Sequence, residues 1–345
     1  MKTRVLPVSR ESIKEACEIL RRGDVVAFPT ETVYGLGGLG LETAAIQKIF
    51  EAKGRPTTDP LILHLPSPDL QEAISAGWVT EPVPTFAFAL TKHFWPGPLT
   101  LVLKRGRLVP YPLTAGLETV AVRCPAHPAA RQLLSSLGAP LAAPSANRFG
   151  HISPTDAPAV LQELNGKIPL ILDGGPCPAG IESTVVSLID DPPVILRPGV
   201  ISAESISESL GIKCEISTSL SQKNTPSTSP GMLASHYAPQ SPLYLCREPI
   251  RHFDPKYQFI LFGPREGSSA SNVHSLSPDH RPETVARNLY RTLRKVDSLR
   301  PTSILMDPVP DSHLAHALRD RLFRASSGNA TWDGTRWILT PRSQN

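Results

Sequence analysis

Short apolar runs alternate with helical patterns along most of this chain, and that alternation limits the fold more than any other feature. Val25 to Phe28 is a continuous apolar run, Leu61 to Leu65 is interrupted by one histidine, and both predict buried strands. Between them, Ala45, Ile49 and Phe50 recur at helical spacing. Further strand-like runs lie at 99–103, 120–123, 141–143, 170–172, 184–188 and 194–196. So many strands among helices predict an α/β fold with a sizeable, mixed sheet.

Composition narrows the class of protein. The 345 residues suggest two or three domains, and 40% hydrophobic residues can form a substantial core. The net charge of +4 permits nucleic-acid contact but does not argue for it. The five cysteines are scattered without a C-x-x-C pair, so they indicate neither a zinc site nor a disulfide framework. With no signal-peptide core and no apolar run of membrane-spanning length, we expect a cytoplasmic protein.

A change of composition divides the chain into three parts. Residues 1–211 carry most of the strand and helix patterns, whereas Ser217 to Ser229 is rich in Ser, Thr, Pro, Gln, Lys and Asn. We therefore predict a linker over 212–241 and a smaller, three-layer α/β domain over 242–345. The linker is either a passive tether or a segment that folds over an active site. Its Pro230-Gly231-Met232 and His236-Tyr237 are unusually specific for a spacer.

Two stretches in the first part have nucleotide-binding chemistry. Lys53-Gly54-Arg55-Pro56 places two cations around a glycine, which suits a polyphosphate. Pro144-Ser145-Ala146-Asn147 offers a hydroxyl and an amide at the end of an apolar run. Taken alone, the first stretch is more often a pair of solvated cations at a helix end, and proline and asparagine alone would explain the second as a turn. The chain contains neither a Walker loop nor a Rossmann fingerprint.

Two further residues are chemically notable in their strands. His64 lies inside an apolar run, where a histidine is usually a satisfied core residue. Arg123 ends the run from Val120, and a buried arginine requires an anionic partner. That partner is either the carboxylate of a ligand or an internal residue such as Glu182.

Seven segments in order resemble the Sua5/YrdC family. The resemblance is dense over roughly residues 8–240. The segments are Phe28 to Leu36, Lys53 to Pro56, Trp95 to Thr100, Thr119 to Arg123, Pro144 to Asn147, Ile181 to Val186 and Leu196 to Gly199. The resemblance implies a YrdC-like twisted sheet around an open cavity, followed by a Rossmann-like Sua5 domain.

The resemblance also implies an activity. Members of the Sua5 branch are L-threonylcarbamoyladenylate synthases, nucleotidyltransferases that use L-threonine, bicarbonate or CO2, and ATP, and release pyrophosphate. The product serves N6-threonylcarbamoyladenosine (t6A) modification at position 37 of tRNAs that read ANN codons. We therefore expect the product to pass to a tRNA threonylcarbamoyl transferase.

By the same resemblance, individual residues acquire expected roles. Lys53 and Arg55 would act as the catalytic clamp on ATP. The expected ATP-binding residues are Lys53, Arg55, Asp59, Thr119, Ala143, Ser145, Asn147, Ser153, Arg197 and His236. The expected threonine-binding residues are Thr32, His64, Arg123 and Ser183.

Asp59 departs from the family pattern, because relatives often have asparagine there. An ionised carboxylate cannot donate to a phosphate, so Asp59 either holds Mg²⁺ or pairs with Arg55. No dedicated metal site is indicated, and Mg²⁺ is expected to arrive with the ATP phosphates.

Two other functions fit parts of the same pattern. A module that binds double-stranded RNA would use the arginines for phosphates, and contact with tRNA is also open. Such a module would need no amino-acid pocket and would lose affinity steeply with salt. A carbamoyltransferase acting through a carbamoyl adenylate would not depend on threonine.

Overall fold

The computed structural model describes residues 2–217, 237–266 and 268–342. These residues form two compact units. The first unit runs to Phe149 and resumes at Ser153, and the second holds Gly150–Ile152 and the described residues from Tyr237 onward. Most of the predicted linker, including His236 and Pro230 to Met232, lies outside the described residues, so its role and the predicted domain boundaries stay predictions.

The first unit is built on one mixed sheet flanked by helices. Its strands are β1 (Arg4–Pro7), β2 (Val26–Phe28), β3 (Gly35–Leu39), β4 (Ile62–His64), β5 (Leu99–Lys104), β6 (Thr119–Arg123), β7 (Leu141–Ala142), β8 (Leu170–Asp173), β9 (Thr184–Ser187), β10 (Val194–Arg197) and β11 (Glu215–Ile216). Its helices are α1 (Arg10–Arg21), α2 (Thr43–Lys53), α3 (Leu70–Ser75), α4 (Thr85–Phe94), α5 (Tyr111–Thr114), α6 (Pro128–Leu137), α7 (Ala157–Leu164) and α8 (Ala203–Leu210).

The strand order mixes parallel and antiparallel neighbours. It reads β1-β8-β2-β3-β7-β4-β6-β5-β9-β10-β11. Strand β4 lies parallel to β6 and antiparallel to β7, and β5 lies antiparallel to β6 and parallel to β9. This strand order places β4, β6, β5 and β9 side by side, although they come from distant parts of the sequence.

The two faces of this sheet carry different hydrophobic clusters. Leu63, Val122 and Leu101 belong to the large core on one face. Because side chains alternate along a strand, the residues between them point to the opposite face. There, Ile62, Val102, Ala121 and Val185, with the partly buried Leu196, form a small cluster, and all of these described residues lie in strands.

Helices α1 and α6 cover the opposite face further along the sheet. Their residues Leu20 and Leu133 pack with Val26, Phe28 and Leu141 of β2 and β7 in a separate core. That face is therefore covered by helices at β2 and β7, whereas at β4, β6, β5 and β9 it carries the small cluster. The second part of the face is where several predicted site residues lie.

The second unit contains a mostly parallel sheet. Its elements are β12 (Leu243–Cys246), β13 (Gln258–Leu261), β14 (Val273–Ser275), α9 (Pro282–Asp297), β15 (Ile304–Met306), α10 (Ala315–Ala325), β16 (Gly328–Trp332) and β17 (Trp337–Pro341). The order is β14-β13-β15-β12-β16-β17; the β16–β17 pair is antiparallel, and the other pairs among the described strands are parallel. Both units are α/β, as predicted. No helix among the described residues is long and apolar enough to span a bilayer.

Candidate functional site

Strands β4 and β6 carry predicted residues for both substrates on one face. In the register of the pair, Ile62 lies opposite Ala121 and His64 opposite Arg123. Thr119, Ala121 and Arg123 are spaced two residues apart, so they share the face of the small cluster. Thr119 and Arg123 are about 13 Å apart along β6 at ordinary strand rise. A predicted nucleotide residue and a predicted threonine residue thus lie on one continuous surface.

The two nucleotide motifs, distant in sequence, meet at Lys53. Its Nζ donates hydrogen bonds to the backbone oxygens of Ser145 (2.5 Å) and Asn147 (2.6 Å). The Ser145 hydroxyl in turn donates to Oδ1 of Asn147 at 2.5 Å. Lys53 is buried at the end of α2, which terminates at Gly54 in the left-handed conformation (φ 63°). Burial, followed by the positive charge of Arg55, lowers the pKa of Lys53 well below its usual value.

Asp59 pairs with Arg55. Nη2 of Arg55 lies 2.9 Å from Oδ2 of Asp59, and both side chains are almost fully buried. Nε of Arg55 also donates to the backbone oxygen of Asp59 at 3.1 Å. Of the two roles considered for this carboxylate, the structure therefore shows the ion pair. Within the described ranges, no three His, Cys, Asp or Glu side chains form a set that could hold a metal ion.

Arg123 is held by a network at the end of β6. Its Nη2 donates to Oε1 of Glu31 (2.6 Å), Nη1 to Oγ1 of Thr32 (3.0 Å), and Nε to the backbone oxygen of Gly97 (3.2 Å). Of the two kinds of partner considered for Arg123, the structure shows an internal carboxylate, which is Glu31 and not Glu182. Glu182 instead accepts a hydrogen bond from the Ser153 hydroxyl at 2.6 Å.

Ser183 lies just before β9 and contacts two polar side chains. Nη2 of Arg197 donates to both the backbone oxygen and Oγ of Ser183, each at 3.0 Å. The hydroxyls of Ser183 and Thr100 are 2.8 Å apart. Ser153 and Arg197, predicted to bind nucleotide, therefore lie beside the Glu182–Ser183 segment, whose serine is predicted to bind threonine.

His64 is neutral at physiological pH. It is buried, its Nδ1 is 3.3 Å from the backbone oxygen of Ile62, and its ring packs edge-on against Phe28. Burial, followed by the positive charge of Arg123, lowers its pKa to about 3. A neutral imidazole can exchange hydrogen bonds with a ligand but adds no charge. Nearby, the predicted nucleotide residue Ala143 donates its N–H to the same Ile62 oxygen at 3.0 Å.

The most important residue that sequence reasoning missed is Glu31. A signal was present, because Glu31 directly precedes the predicted threonine residue Thr32 and is an acidic residue within a motif of otherwise uncharged residues. His236, the last predicted ATP residue, lies outside the described residues. The structure thus brings most predicted residues into three groups: one around Lys53, one around Arg123, and one in which Arg197 and Ser153 contact the Glu182–Ser183 segment.

Two family models together match most of the chain. One, described as "Telomere recombination" and covering the Sua5, YciO and YrdC proteins, matches residues 18–199. The other, described as the C-terminal domain of threonylcarbamoyl-AMP synthase, matches residues 201–327.

Individual relatives extend the match to nearly full length. The chain is 44% identical to threonylcarbamoyl-AMP synthase of Bacillus subtilis, covering 94% of this chain and 95% of that protein. It is 40% identical to the synthase of Pyrococcus abyssi over 92% of this chain and 96% of that protein. A crystal structure of P. abyssi Sua5 complexed with L-threonine superposes with a TM-score of 0.83 at 37% identity, covering 94% and 97% of the two chains. The chain belongs to the Sua5/YciO/YrdC family, which confirms the predicted family.

We predict that Lys53→Ala and Arg55→Ala each lower adenylate formation at least about tenfold, since a lost charge-assisted contact in a water-poor site costs about 2–3 kcal/mol. Steady-state turnover and the KM for ATP measure this. Lys48→Ala, at an exposed position of the same helix, is the matched control and should retain the parent's rate. Turnover within twofold of the parent for both buried variants would contradict the clamp.

We also predict that His64→Gln flattens the acid side of the stability profile. Below pH 6.5 an unfolded histidine binds a proton, whereas folded His64 stays neutral down to about pH 3. The unfolded state therefore binds more protons in this window, and stability falls as pH falls. Removing His64 should reduce the slope of unfolding free energy between pH 3 and 6.5 by up to about 1.4 kcal/mol per pH unit. Urea unfolding at several pH values measures the slope, with exposed His93→Gln as control. An unchanged slope in His64→Gln would count against a neutral His64.

Proposed function

We propose that this protein is an L-threonylcarbamoyladenylate synthase, which converts L-threonine, bicarbonate or CO2, and ATP into threonylcarbamoyl-AMP and pyrophosphate. The observation that carries the proposal is the pair of residue groups in the first unit, around Lys53 and around Arg123. Strands β4 and β6 carry members of the predicted ATP and threonine sets on one face. Relatives named threonylcarbamoyl-AMP synthase, matching over nearly the whole chain, support it.

The reaction has two bond-forming steps. The neutral amine of threonine attacks the carbon of CO2, a C–N bond forms, and a proton leaves to give the carbamate. A carbamate oxygen then attacks the α-phosphorus of ATP, and the bond between that phosphorus and the bridging oxygen to the β-phosphate breaks as pyrophosphate leaves. Two anions must approach each other, so the site must supply positive charge and orientation.

The chemistry of ATP binding fits four residues of the first group: Lys53, Arg55, Ser145 and Asn147. The two cations are buried, where the attraction of a cation for phosphate is stronger than in water. Lys53 also fixes the backbone of Ser145 and Asn147, so the hydroxyl and the amide are held next to the cations. In this proposal the group orients the polyphosphate and stabilises charge on the leaving pyrophosphate.

Mg²⁺ enters the proposal only with ATP. The Asp59 carboxylate is paired with Arg55 and therefore fits poorly as a metal ligand of its own. A divalent ion that accompanied the triphosphate would neutralise part of its charge. No step of the proposed mechanism depends on a metal held by protein side chains.

The chemistry of threonine binding fits the four residues predicted for it: Arg123, Thr32, His64 and Ser183. Arg123 offers a cation for the α-carboxylate, while neutral His64 and the two hydroxyls offer uncharged hydrogen bonds. This combination matches an amino acid with a charged carboxylate and a side-chain hydroxyl.

The cellular setting of the reaction is also part of the proposal. The product would pass to a tRNA threonylcarbamoyl transferase for t6A formation, and the protein would work in the cytoplasm. Direct contact with tRNA or double-stranded RNA is a separate hypothesis, which a salt-dependent binding assay with each RNA tests.

The test of the activity is pyrophosphate release from ATP with threonine and bicarbonate each omitted in turn, and with the nucleotide product identified by mass spectrometry. Release that requires both, with threonylcarbamoyl-AMP as product, is the expected result. Release without threonine would indicate carbamoyl-adenylate chemistry instead. RNA binding without any release would favour the RNA-binding module.

We predict that Ser183→Ala weakens threonine binding more than ATP binding, because the family resemblance assigns the Ser183 hydroxyl to the threonine-binding residues. Separate calorimetric titrations with threonine and with ATP measure the two affinities. The expected loss for threonine is about 1–2 kcal/mol, typical of one buried hydrogen bond. Equal losses for both ligands would argue against separate subsites.

A further inference from the structure

Glu31 joins the start of the α6 region to the end of β6. Its Oε1 accepts from Nη2 of Arg123 at 2.6 Å, and its Oε2 accepts from the backbone N–H groups of Ala126 (3.0 Å) and His127 (3.3 Å). Its backbone oxygen also accepts from the N–H of Ala179 at 2.9 Å. One carboxylate thus connects the loop after β2 with the guanidinium and with the segment after β6.

This network leaves a defined part of Arg123 available. A guanidinium has five N–H groups. Three of them donate to Gly97, Thr32 and Glu31. One N–H therefore remains on each terminal nitrogen without an acceptor among the described residues. Two N–H groups on separate terminal nitrogens are what a carboxylate needs for a two-point contact.

We propose that Glu31 is a positioning residue that fixes the Arg123 guanidinium so that its two remaining terminal N–H groups receive the carboxylate of the amino-acid substrate. This inference rests on the proposed function. A guanidinium that is already held loses less conformational freedom when the substrate binds, so more of the contact energy appears as affinity.

The electrostatic surroundings are consistent with this role. The Arg123 and Glu31 side chains are 4% and 12% exposed. Burial raises the pKa of Glu31, but the charge and hydrogen bond of Arg123 lower it further, so the net direction is down and the carboxylate stays ionised at neutral pH. His64, opposite Arg123 in the β4–β6 register, adds no charge. Glu31 is therefore the carboxylate that orients Arg123 before substrate arrives.

Glu31→Gln is the primary test. Glutamine keeps the shape, but its amide has one oxygen, which cannot serve both Arg123 and the two backbone N–H groups. Calorimetry should show a Kd for threonine raised at least about fivefold, with the Kd for ATP within about twofold of the parent. Glu118→Gln is the matched control, because Glu118 forms an exposed pair with Arg105, and it should leave both affinities unchanged.

A double variant guards against simple misfolding. In Arg123→Gln the Glu31 carboxylate loses its partner, whereas Glu31→Gln/Arg123→Gln removes both charges together. If Glu31 acts through Arg123, the threonine Kd of the double variant should lie within about twofold of Arg123→Gln alone. A further independent loss in the double variant would overturn the inference.

The remaining outcomes separate the inference from the proposed function. Parent protein that binds neither threonine nor ATP, or ATP alone, overturns both. Parent-like threonine affinity in Glu31→Gln overturns the positioning role and leaves the function standing. Parallel losses of threonine and ATP affinity, tracking a lower melting temperature, would show that Glu31 only stabilises the fold.

Discussion

The alternation of side chains across the central strands is the constraint on which the rest of the first unit depends. In β6, Val120 and Val122 belong to the large core, whereas Thr119, Ala121 and Arg123 lie on the opposite face. A shift of one residue in register would send Arg123 into the core and the valines to the site. The same strand therefore stabilises the fold and presents the chemistry, and neither role can be changed independently.

Buried charge is the second constraint, and it follows from the first. A polar residue on a strand face next to an apolar cluster loses water, so it must find a partner within the protein. Arg123 is paired with Glu31 and Arg55 with Asp59. Each pair joins residues in or next to loops, and so the need to neutralise charge also determines where those loops lie. The carboxylates of Glu31 and Asp59 therefore shape the site as much as the two arginines that they pair with.

Sequence reasoning predicted the elements whose signal is local. The apolar runs of β5 and β6 lie within a residue of their predicted bounds. Strand β3 was not predicted, because three of its five residues are glycines, which have low strand propensity, and its place between β2 and β7 comes from long-range pairing. The Arg123 partner was missed for a similar reason, since Glu31 is 92 residues away in sequence. Burial predicts that a partner exists, but only the fold identifies it.

Lys53 shows why residue type alone gives an incomplete account of a site. As a sequence feature it is a cation beside a glycine, which suits phosphate. In the fold its ammonium already donates to two backbone oxygens of the Ser145–Asn147 segment, so part of its hydrogen-bonding capacity is used before a ligand binds. A ligand anion near Lys53 would favour its charged form and so strengthen these two bonds, because burial disfavours the charge in the absence of a counter-ion. Binding of phosphate and ordering of the Ser145–Asn147 segment are therefore expected to support each other through one side chain.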